Sequence, residues 1–579
     1  MPRNELTLAA DSRAAAIIVV GEEATAPERH AAQELAEFLQ QATGAQFDVV
    51  GRDERGRPRL LVGPDAARLA DPAFTAEGLG AEGIVIRTVG QDLILAGGRP
   101  RGTLYAVYTF LEGHVGVRWW SSKVTDVPRR PALTVGPLDV RYVPPLEYRE
   151  AYWADARDGD WAARSRCNGN GAALEARHGG KCVYEGFVHT FYPLIPPEKY
   201  FAKRPEWFSM IDGKRTHKQA QLCLTNEAMR KELVGNLRAR LRENPAATIA
   251  SVSQNDWYGN CQCPACRKID EAEGSPSGSL LHFVNAVAAD IEKDFPHVAI
   301  STLAYQYTRK PPRHVRPRKN VIVRLCSIEC SFSMPLSSPR NGAFGDDLRG
   351  WAKICERLYV WDYTTDFRNY IQPHPNLRVL GPNVKFFAGH NVRGLFEQGA
   401  YNTAGAEMAE LRAWVLAKLL WDPKLDADKL IGEFLAGYYG PAGKHVAAYL
   451  KVTHDAVEAA GDHLGCFSPN DAKFLSLATL AAGWEHLKQA EAAVADDPDL
   501  LRRVKVAQLP VLYVFLTRWD ELRGAAKAAE ANWPVADSAK EVLAHFIQTA
   551  KEAGITRLNE WEEGFDDLVK IVANAGLRK

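Results

Sequence analysis

Residues 298–307 read Val-Ala-Ile-Ser-Thr-Leu-Ala-Tyr-Gln-Tyr and join an apolar segment to polar and aromatic residues at its carboxyl end. A short apolar run of this kind is typical of a strand that is buried on both faces of a parallel sheet. Similar runs recur at residues 146–152, 248–253, 320–325, 357–361 and 392–396, with helix-like amphipathic stretches between them. Six such strands, together with an irregular stretch at residues 160–225, predict an α/β fold with a central (β/α)8 barrel.

The flanking regions have different patterns. Residues 14–135 alternate strand and helix patterns, which predicts a two-layer α/β domain with helices on one face of its sheet. Prolines then mark a linker between residues 128 and 145, and from residue 406 onward the pattern is almost entirely helical. We therefore predict three domains: an N-terminal α/β domain at residues 1–138, a (β/α)8 catalytic barrel at residues 139–420 and a helical C-terminal region at residues 421–579.

The charge balance narrows the choice of partners. The chain has 71 Lys and Arg against 71 Asp and Glu, so nothing in the total predicts binding to a nucleic acid or to an anionic membrane. No apolar run approaches the roughly 20 residues that a membrane-spanning helix needs. The N-terminus lacks the features of a signal peptide. We expect a cytoplasmic protein, or a secreted or periplasmic one if a signal has been removed, with a neutral or small substrate.

Polar and aromatic residues follow the predicted strands. Carboxylates come after four of five of them, at Asp256, Glu329, Asp362 and Glu397. Catalytic groups of parallel barrels lie at these ends, and glycoside hydrolysis needs two such groups beside aromatic faces that hold a sugar. The alternative is that polar residues simply occupy strand ends, as they commonly do. The predicted sugar-binding residues are His189, Tyr305, Tyr307, Trp361, Asp362, Glu397 and Gln398.

A cluster of cysteines closely follows Asp256. Cys261, Cys263 and Cys266 place three thiols within six residues, and Cys223 could supply a fourth. One interpretation is a structural zinc site with these four ligands. The other is a tight, reduced turn that packing stabilises. Catalysis itself is expected to need no cofactor.

Several segments carry a family resemblance. Residues 93–108 and 116–120 resemble the N-terminal domain shared by α-glucuronidases and β-hexosaminidases. Later segments resemble the domain-of-unknown-function family 4838, which includes glycoside hydrolase family 163, the endo-β-N-acetylglucosaminidases that act on complex N-glycans. The resemblance spans residues 14–450. Its later segments are His189-Thr-Phe191, Pro205-Glu-Trp-Phe208, Gln221-Leu-Cys-Leu-Thr225, Ser253-Gln-Asn-Asp256, Leu303-Ala-Tyr-Gln-Tyr-Thr308, Trp361-Asp-Tyr363 and Phe396-Glu-Gln398.

The resemblance implies a retaining reaction at a β-linked N-acetylglucosamine, with the substrate's own acetamide as the nucleophile. One residue would polarise the acetamide, and another would act first as acid and then as base. Two assignments are open: Asn255 holds the acetamide with Asp256 as the acid, or Asp256 polarises it with Glu329 as the acid. We favour Glu329, because its neighbours Ile328 and Cys330 suit a carboxyl group that must carry a proton.

Two alternatives of different kinds remain. An inverting α-glucuronidase-like enzyme would separate its carboxyl groups by about 6.5–9.5 Å and would bind the uronate through basic residues. Candidates for that contact are Arg149, Arg324 and Arg368. A non-catalytic carbohydrate-binding protein would bind sugar without turnover. The helical tail could pack on the barrel, close the substrate groove or form a dimer interface, because its apolar stripe must be buried.

Overall fold

The structure, a computed structural model, describes residues 5–51 and 56–575. Its N-terminal domain contains a six-stranded mixed sheet. Helix Ala26–Thr43 begins at a capping box made by Thr25 and Glu28, and with helix Gly102–Phe110 it covers one face of the sheet. The short helix Pro64–Ala67 packs on the other face, which the predicted two-layer arrangement left uncovered. In spatial order the strands are Asp139–Tyr142, Ile84–Val89, Asp92–Gly97, Arg59–Val62, Ile17–Val20 and Val49–Val50.

The proline-rich segment belongs to this domain rather than to a free linker. Asp139–Tyr142 pairs with Ile84–Val89, and Leu133–Val135 pairs with Leu6–Ala10, which also pairs with Arg13–Ala14. The N-terminal sheet therefore extends to residue 142, beyond the boundary predicted at residue 138. Two further hairpins flank the core, Arg118–Trp119 with Thr125–Asp126 and Met210–Ile211 with Lys214–Arg215.

The central sheet has seven strands in the described residues, which corrects the expected eight-stranded barrel. The strands are β1 (Tyr148–Tyr152), β2 (Tyr184–Glu185), β3 (Ile249–Ser251), β4 (Ala299–Ala304), β5 (Val321–Cys326), β6 (Leu358–Tyr363) and β7 (Val392–Gln398). All neighbouring strands are parallel, and their order is β1-β7-β6-β5-β4-β3-β2. One residue from each strand joins a single apolar cluster, so the sheet is curled around a common interior.

An irregular segment lies where an eighth strand would close the sheet. The Asn168 amide donates to the Arg149 carbonyl on β1 at 3.1 Å, and the Asn168 carbonyl accepts from the Cys182 amide at 2.9 Å. A Cβ at Gly169 would lie 2.4 Å from the Glu150 side chain, so this close approach requires glycine. The Asn-Gly-Asn-Gly sequence of residues 168–171 thus fills the gap between β1 and β2 without continuing the ladder.

Helices cover the outside of the curled sheet, and a helical region follows it. The longer helices among the strands are Glu227–Glu243, Pro264–Glu273, Ser277–Ile291, Gly342–Ala352 and Leu377–Ala388, and the shorter ones are Gly159–Arg164, Phe191–Leu194 and Pro197–Tyr200. The C-terminal helices are Ala409–Trp421, Ala427–Tyr439, Gly443–Ala460, Leu477–Ala492, Pro498–Thr517, Trp519–Ala528, Ala539–Glu552 and Asp566–Ala573. Among the described residues, no helix combines the length and the apolar character that crossing a bilayer requires.

The helical region also reaches over the carboxyl ends of the strands. The Cys466 carbonyl accepts from the Phe367 amide at 2.8 Å, and the Phe367 carbonyl accepts from the Glu560 amide at 2.9 Å. Phe367 lies in the loop that follows β6. Two loops of the C-terminal region are thereby fixed at the mouth of the sheet.

Candidate active site

A pocket of about 290 Å³ opens at the carboxyl ends of the central strands. This volume is near the lower end of the range for small-molecule sites. Strand ends, the loops after them and the C-terminal helical region all contribute to its wall. Its aromatic lining consists of Tyr152, Phe187, Tyr305, Trp361, Tyr363, Phe367, Phe396, Tyr401 and Phe467, and its polar lining includes His189, Asp256, Gln398 and Glu560.

Asp256 lies in the loop after β3 and keeps 60% of its side chain exposed. The Tyr305 hydroxyl donates to its Oδ1 at 3.0 Å, and His189 Nε2 lies 3.7 Å from the same oxygen. His189 Nδ1 lies 2.7 Å from the Gln254 carbonyl, which can only accept, so this nitrogen carries a proton. Both contacts involve Oδ1, which leaves Oδ2 without a hydrogen-bond partner among the described side chains. Asp256 is therefore oriented but still accessible to a substrate.

Glu560 is the second carboxyl group of the pocket, and it comes from the loop between the last two C-terminal helices. The Asn559 side chain accepts from the amides of Trp561 and Glu562 at 2.9 and 2.8 Å, a local turn that fixes the loop. Gln398 Nε2 donates to Glu560 Oε1 at 3.2 Å. The loop is also held by Asn402, whose side chain donates to the Glu560 carbonyl at 3.1 Å.

The two carboxyl groups interact electrostatically. Burial raises the pKa of Glu560, a hydrogen bond from Tyr401 opposes this shift, and the negative charge of Asp256 raises the pKa further. The charge of Asp256 thus acts in the same direction as burial, and both make Glu560 harder to ionise than an exposed carboxyl group.

The aromatic floor of the pocket contacts Glu560 through Gln398. Trp361 packs edge-on against Phe396 at 4.7 Å between ring centroids, and its Nε1 donates to Gln398 Oε1 at 2.8 Å. That contact fixes the Gln398 amide so that its nitrogen faces Glu560. At the rim, Phe467 and Trp561 are stacked 6.1 Å apart and are 39% and 60% exposed. Such exposed aromatic faces beside a pocket can stack on sugar rings.

Two of the three predicted catalytic residues lie outside the pocket wall. Glu329 is 42% exposed and is paired with Arg309 at 3.0 Å, so it lacks the apolar surroundings that its neighbours suggested. Asn255 is buried, its Oδ1 accepts from the Tyr192 amide and its Nδ2 donates to the Ala220 carbonyl. Both ends of the Asn255 side-chain amide therefore bond to backbone groups of neighbouring loops.

Strand alternation separates the predicted sugar-binding residues. Trp361 and Gln398 line the pocket, but their neighbours Asp362 and Glu397 point to the opposite, helix-covered face, where both are buried. Tyr307 also lies outside the pocket, with its ring 6.3 Å from that of Tyr258. His189 and Tyr305, by contrast, are part of the pocket wall.

The three arginines considered for a uronate carboxylate do not reach the pocket. Arg149 lies on the outer face of β1 and is paired with Glu82 of the N-terminal domain at 2.7 Å. Arg324 is buried beneath the pocket floor, with its guanidinium 4.5 Å from the centroid of the Phe187 ring. Arg368 is exposed and is not part of the wall.

Glu560 was missed at the sequence level because it belongs to the helical tail rather than to a strand end. The signal that could have drawn attention to it is the break in helical pattern at residues 556–565, where Asn559, Glu560 and Trp561 place polar and aromatic residues together.

The four predicted cysteine ligands do come together, with their sulfur atoms all within 4.8 Å of one another.

The fold and site define an α/β protein whose curled parallel sheet carries an aromatic pocket with two interacting carboxyl groups. A family model described as "Domain of unknown function (DUF4838)" matches residues 119–451, more than half of the chain. The chain therefore belongs to this family. A second model, "Glycosyl hydrolase family 67 N-terminus", matches residues 2–110. No curated protein sequence matches the chain.

Two solved structures are similar in fold. The family GH115 4-O-methyl-α-glucuronidase BtGH115A, with specificity for decorated arabinogalactans, has a TM-score of 0.60 at 11% identity, over 98% of this chain and 80% of that one. The structure of CpGH84B has a TM-score of 0.50 at 9% identity, over 99% of this chain and 97% of that one. At these identities the likeness shows a shared fold.

Proposed function

We propose that this protein is a glycoside hydrolase in which Glu560 is the proton donor and Asp256 is its catalytic partner. The observation that carries the proposal is one aromatic-lined pocket that holds two electrostatically interacting carboxyl groups in different environments. Enzymes that cleave glycosidic bonds assign acid and base roles to such pairs through their surroundings. The match to a glycosyl hydrolase N-terminal domain and the similar folds of the two solved structures support the same class.

The environments of the two groups suggest their roles. Glu560 is partly buried and its pKa is raised, so it keeps its proton to higher pH than an exposed carboxyl group and suits a group that protonates the leaving oxygen and then accepts a proton from water. Asp256 is more exposed, and the Tyr305 hydroxyl donates to its Oδ1. Its Oδ2 can then accept the N–H of a substrate acetamide and orient that acetamide for attack. This assignment replaces Glu329 by Glu560 as the acid.

The pocket lining favours a neutral sugar. No lysine or arginine belongs to the wall in the described part of the chain, and His189 is its basic residue. A uronate carboxylate would find no guanidinium or ammonium partner there, which disfavours the α-glucuronidase-like alternative. We propose a β-linked N-acetylglucosamine as the sugar and oligosaccharides of the N-glycan type as substrates, cleaved with retention by the substrate-assisted route that the family resemblance implies.

The test is turnover of a substrate panel by the wild-type protein. Aryl β-N-acetylglucosaminides, aryl β-glucosides and aryl α-glucuronides would be compared with complex N-glycans and glucuronoxylan fragments, and products would be identified by mass spectrometry and NMR. We expect hydrolysis of the N-acetylglucosaminide with retained anomeric configuration. Loss of most activity on the unactivated N-glycans in Glu560→Gln, and on both aryl and glycan substrates in Asp256→Asn, but on neither in the exposed control Glu562→Gln, would support the proposed pair.

The remaining outcomes separate the proposal into its parts. Turnover of only the neutral glucoside would keep the glycosidase and contradict the acetamido-sugar substrate. Release of glucuronate would overturn the neutral-substrate argument. Sugar binding without turnover, unchanged in both pocket variants, would instead make this a carbohydrate-binding protein.

A further inference from the structure

Four buried cysteines form a cluster beside the loop that carries Asp256. Cys223, Cys261, Cys263 and Cys266 are all free thiols, and their sulfur atoms lie within 4.8 Å of one another. Cys223 Sγ lies 3.7 Å from Cys263 Sγ and 3.9 Å from Cys266 Sγ. Four sulfurs at about 2.3 Å from a tetrahedral zinc ion would be separated by about 3.8 Å. The two distances from Cys223 match this spacing, and all four sulfur atoms are close enough together to share one ion.

The alternatives fit these distances less well. A disulfide needs sulfur atoms about 2.05 Å apart, far closer than these pairs. Ordinary apolar packing is also a poor explanation, because the four thiols form a cluster of their own, separate from the main apolar core. Among the described residues, Met210 is the apolar side chain packed against this cluster, and the Thr225 hydroxyl lies 3.2 Å from Cys266 Sγ. A central ion would supply the contacts that neighbouring apolar side chains do not.

Hydrogen-bond donors surround the sulfur atoms as they would surround thiolate ligands. The Met210 amide donates to Cys261 Sγ at 3.3 Å, and Arg215 Nη1 donates to the same sulfur at 3.6 Å. Four thiolates around a divalent ion carry a net negative charge, so donors and a guanidinium in the surrounding layer stabilise the site. The hairpin Met210–Ile211 and Lys214–Arg215 supplies both donors.

The cluster joins two loops that together support Asp256. Cys223 lies two residues after Gln221. The Gln221 Nε2 donates to the carbonyls of Asn255 and Trp257 at 3.1 and 2.6 Å. Gln221 Oε1 accepts from the Asn255 amide at 2.9 Å. The other three cysteines begin five residues after Asp256. A bond between the two cysteine segments would therefore fix the backbone on both sides of Asp256.

We propose that Cys223, Cys261, Cys263 and Cys266 bind one structural zinc ion, which holds the loop of Asp256 in place. The ion has no open coordination position and takes no part in the chemistry, in keeping with closed sites of four protein ligands. The zinc site stands independently of the proposed glycosidase activity, because its presence is measured by metal content.

The first experiment is metal analysis of the full-length protein after purification without chelators. We expect one zinc per chain, released in step with the reaction of four thiols when an organomercurial is added. The stripped protein should take up Co²⁺ and show the intense visible and near-ultraviolet absorption of a tetrahedral thiolate complex. Cys263→Ser should lose this absorption and the stoichiometric zinc, and the buried control Cys355→Ser should keep both.

The positioning role is tested by hydrogen exchange, with and without zinc. We expect faster exchange across residues 253–262 on zinc removal and unchanged exchange in helix Ala26–Thr43. Absence of zinc, with no uptake of Zn²⁺ or Co²⁺ by the reduced wild-type protein, would overturn the site. Stoichiometric zinc in Cys263→Ser would also overturn this ligand set, and unchanged exchange near Asp256 would overturn the positioning role. The wild-type measurements decide the question even if Cys263→Ser fails to fold.

Discussion

Some pocket residues could be predicted from the local sequence pattern, and others could not. His189, Tyr305, Trp361 and Gln398, which are among the predicted sugar-binding residues, line the pocket. Glu560 reaches it from the far end of the sequence, through backbone contacts with the loop after β6. The two carboxyl groups of the pocket therefore come from segments separated by about 300 residues, a distance that local patterns cannot bridge.

The raised pKa of Glu560 leads to a prediction about pH dependence. An acid catalyst works only while protonated, so kcat/KM should fall as pH rises through the pKa of Glu560, and burial moves this loss to higher pH. Glu560→Gln should remove this alkaline limb and reduce turnover of unactivated glycosides by about 10²–10⁴-fold. Aryl glycosides with good leaving groups should lose much less.

The measurement is a pH–rate profile of wild-type protein, Glu560→Gln and the exposed control Glu562→Gln on both substrate types. Equal losses on activated and unactivated substrates would show that Glu560 is not the proton donor.

At the scale of the strand, alternation decides which side chains face the pocket. β6 and β7 pair Asp362 with Glu397, and both lie on the face opposite to Trp361 and Phe396. Burial raises the pKa of Asp362 to about 6, although Ser327 donates to its carboxylate. Burial, with the charge of Asp362, raises the pKa of Glu397 well above its ordinary value. Both carboxyl groups therefore affect the folding stability from beneath the helices, and neither lines the pocket.

The Asp362 carboxyl should make stability depend on pH. Its pKa of about 6 in the folded protein exceeds the roughly 3.9 of an unfolded chain, so folding favours the protonated form. This contribution is complete below pH ~4 and is lost as pH rises through 6. Asp362→Asn keeps the shape of the side chain and has no proton to lose. The free energy of unfolding of the variant, minus that of wild type, should therefore be larger at pH 8 than at pH 4 by on the order of 2–3 kcal/mol.

Urea unfolding of wild type, Asp362→Asn and the exposed control Asp346→Asn between pH 4 and 8 measures this difference. A gain in Asp362→Asn that stays constant over the whole pH range would contradict the proposed titration.

At the scale of the molecule, one apolar core runs through all three regions. The main cluster includes Leu35 of the N-terminal domain, Leu325 of the sheet and Phe515 of the helical tail. A buried ion-pair network joins the first two regions, since Glu82 is paired with both Arg149 and Arg101 at 2.7 Å. Burial of Glu82 is outweighed by these two guanidinium groups, which lower its pKa to about 2.

A continuous core predicts cooperative unfolding. Differential scanning calorimetry of the full chain should show one main unfolding transition, because no region can unfold without exposing the apolar surface of the others. Glu82→Ala should lower its Tm, since removing one partner leaves Arg149 buried without its charge partner, a loss of about 3–5 kcal/mol. The exposed control Glu77→Ala should not change the Tm. Well-separated transitions in the wild-type protein would contradict the shared core.

The sequence by itself determined that strands and helices alternate in the central region and which residues follow each predicted strand. It did so because apolar periodicity and strand-end polarity are local properties. The tertiary structure decided what depends on distant contacts. The segment at Asn168 replaces an eighth strand, because its glycines approach Glu150 too closely for a side chain. The helical tail brings Glu560 to Asp256, and strand direction turns Asp362 and Glu397 away from the pocket.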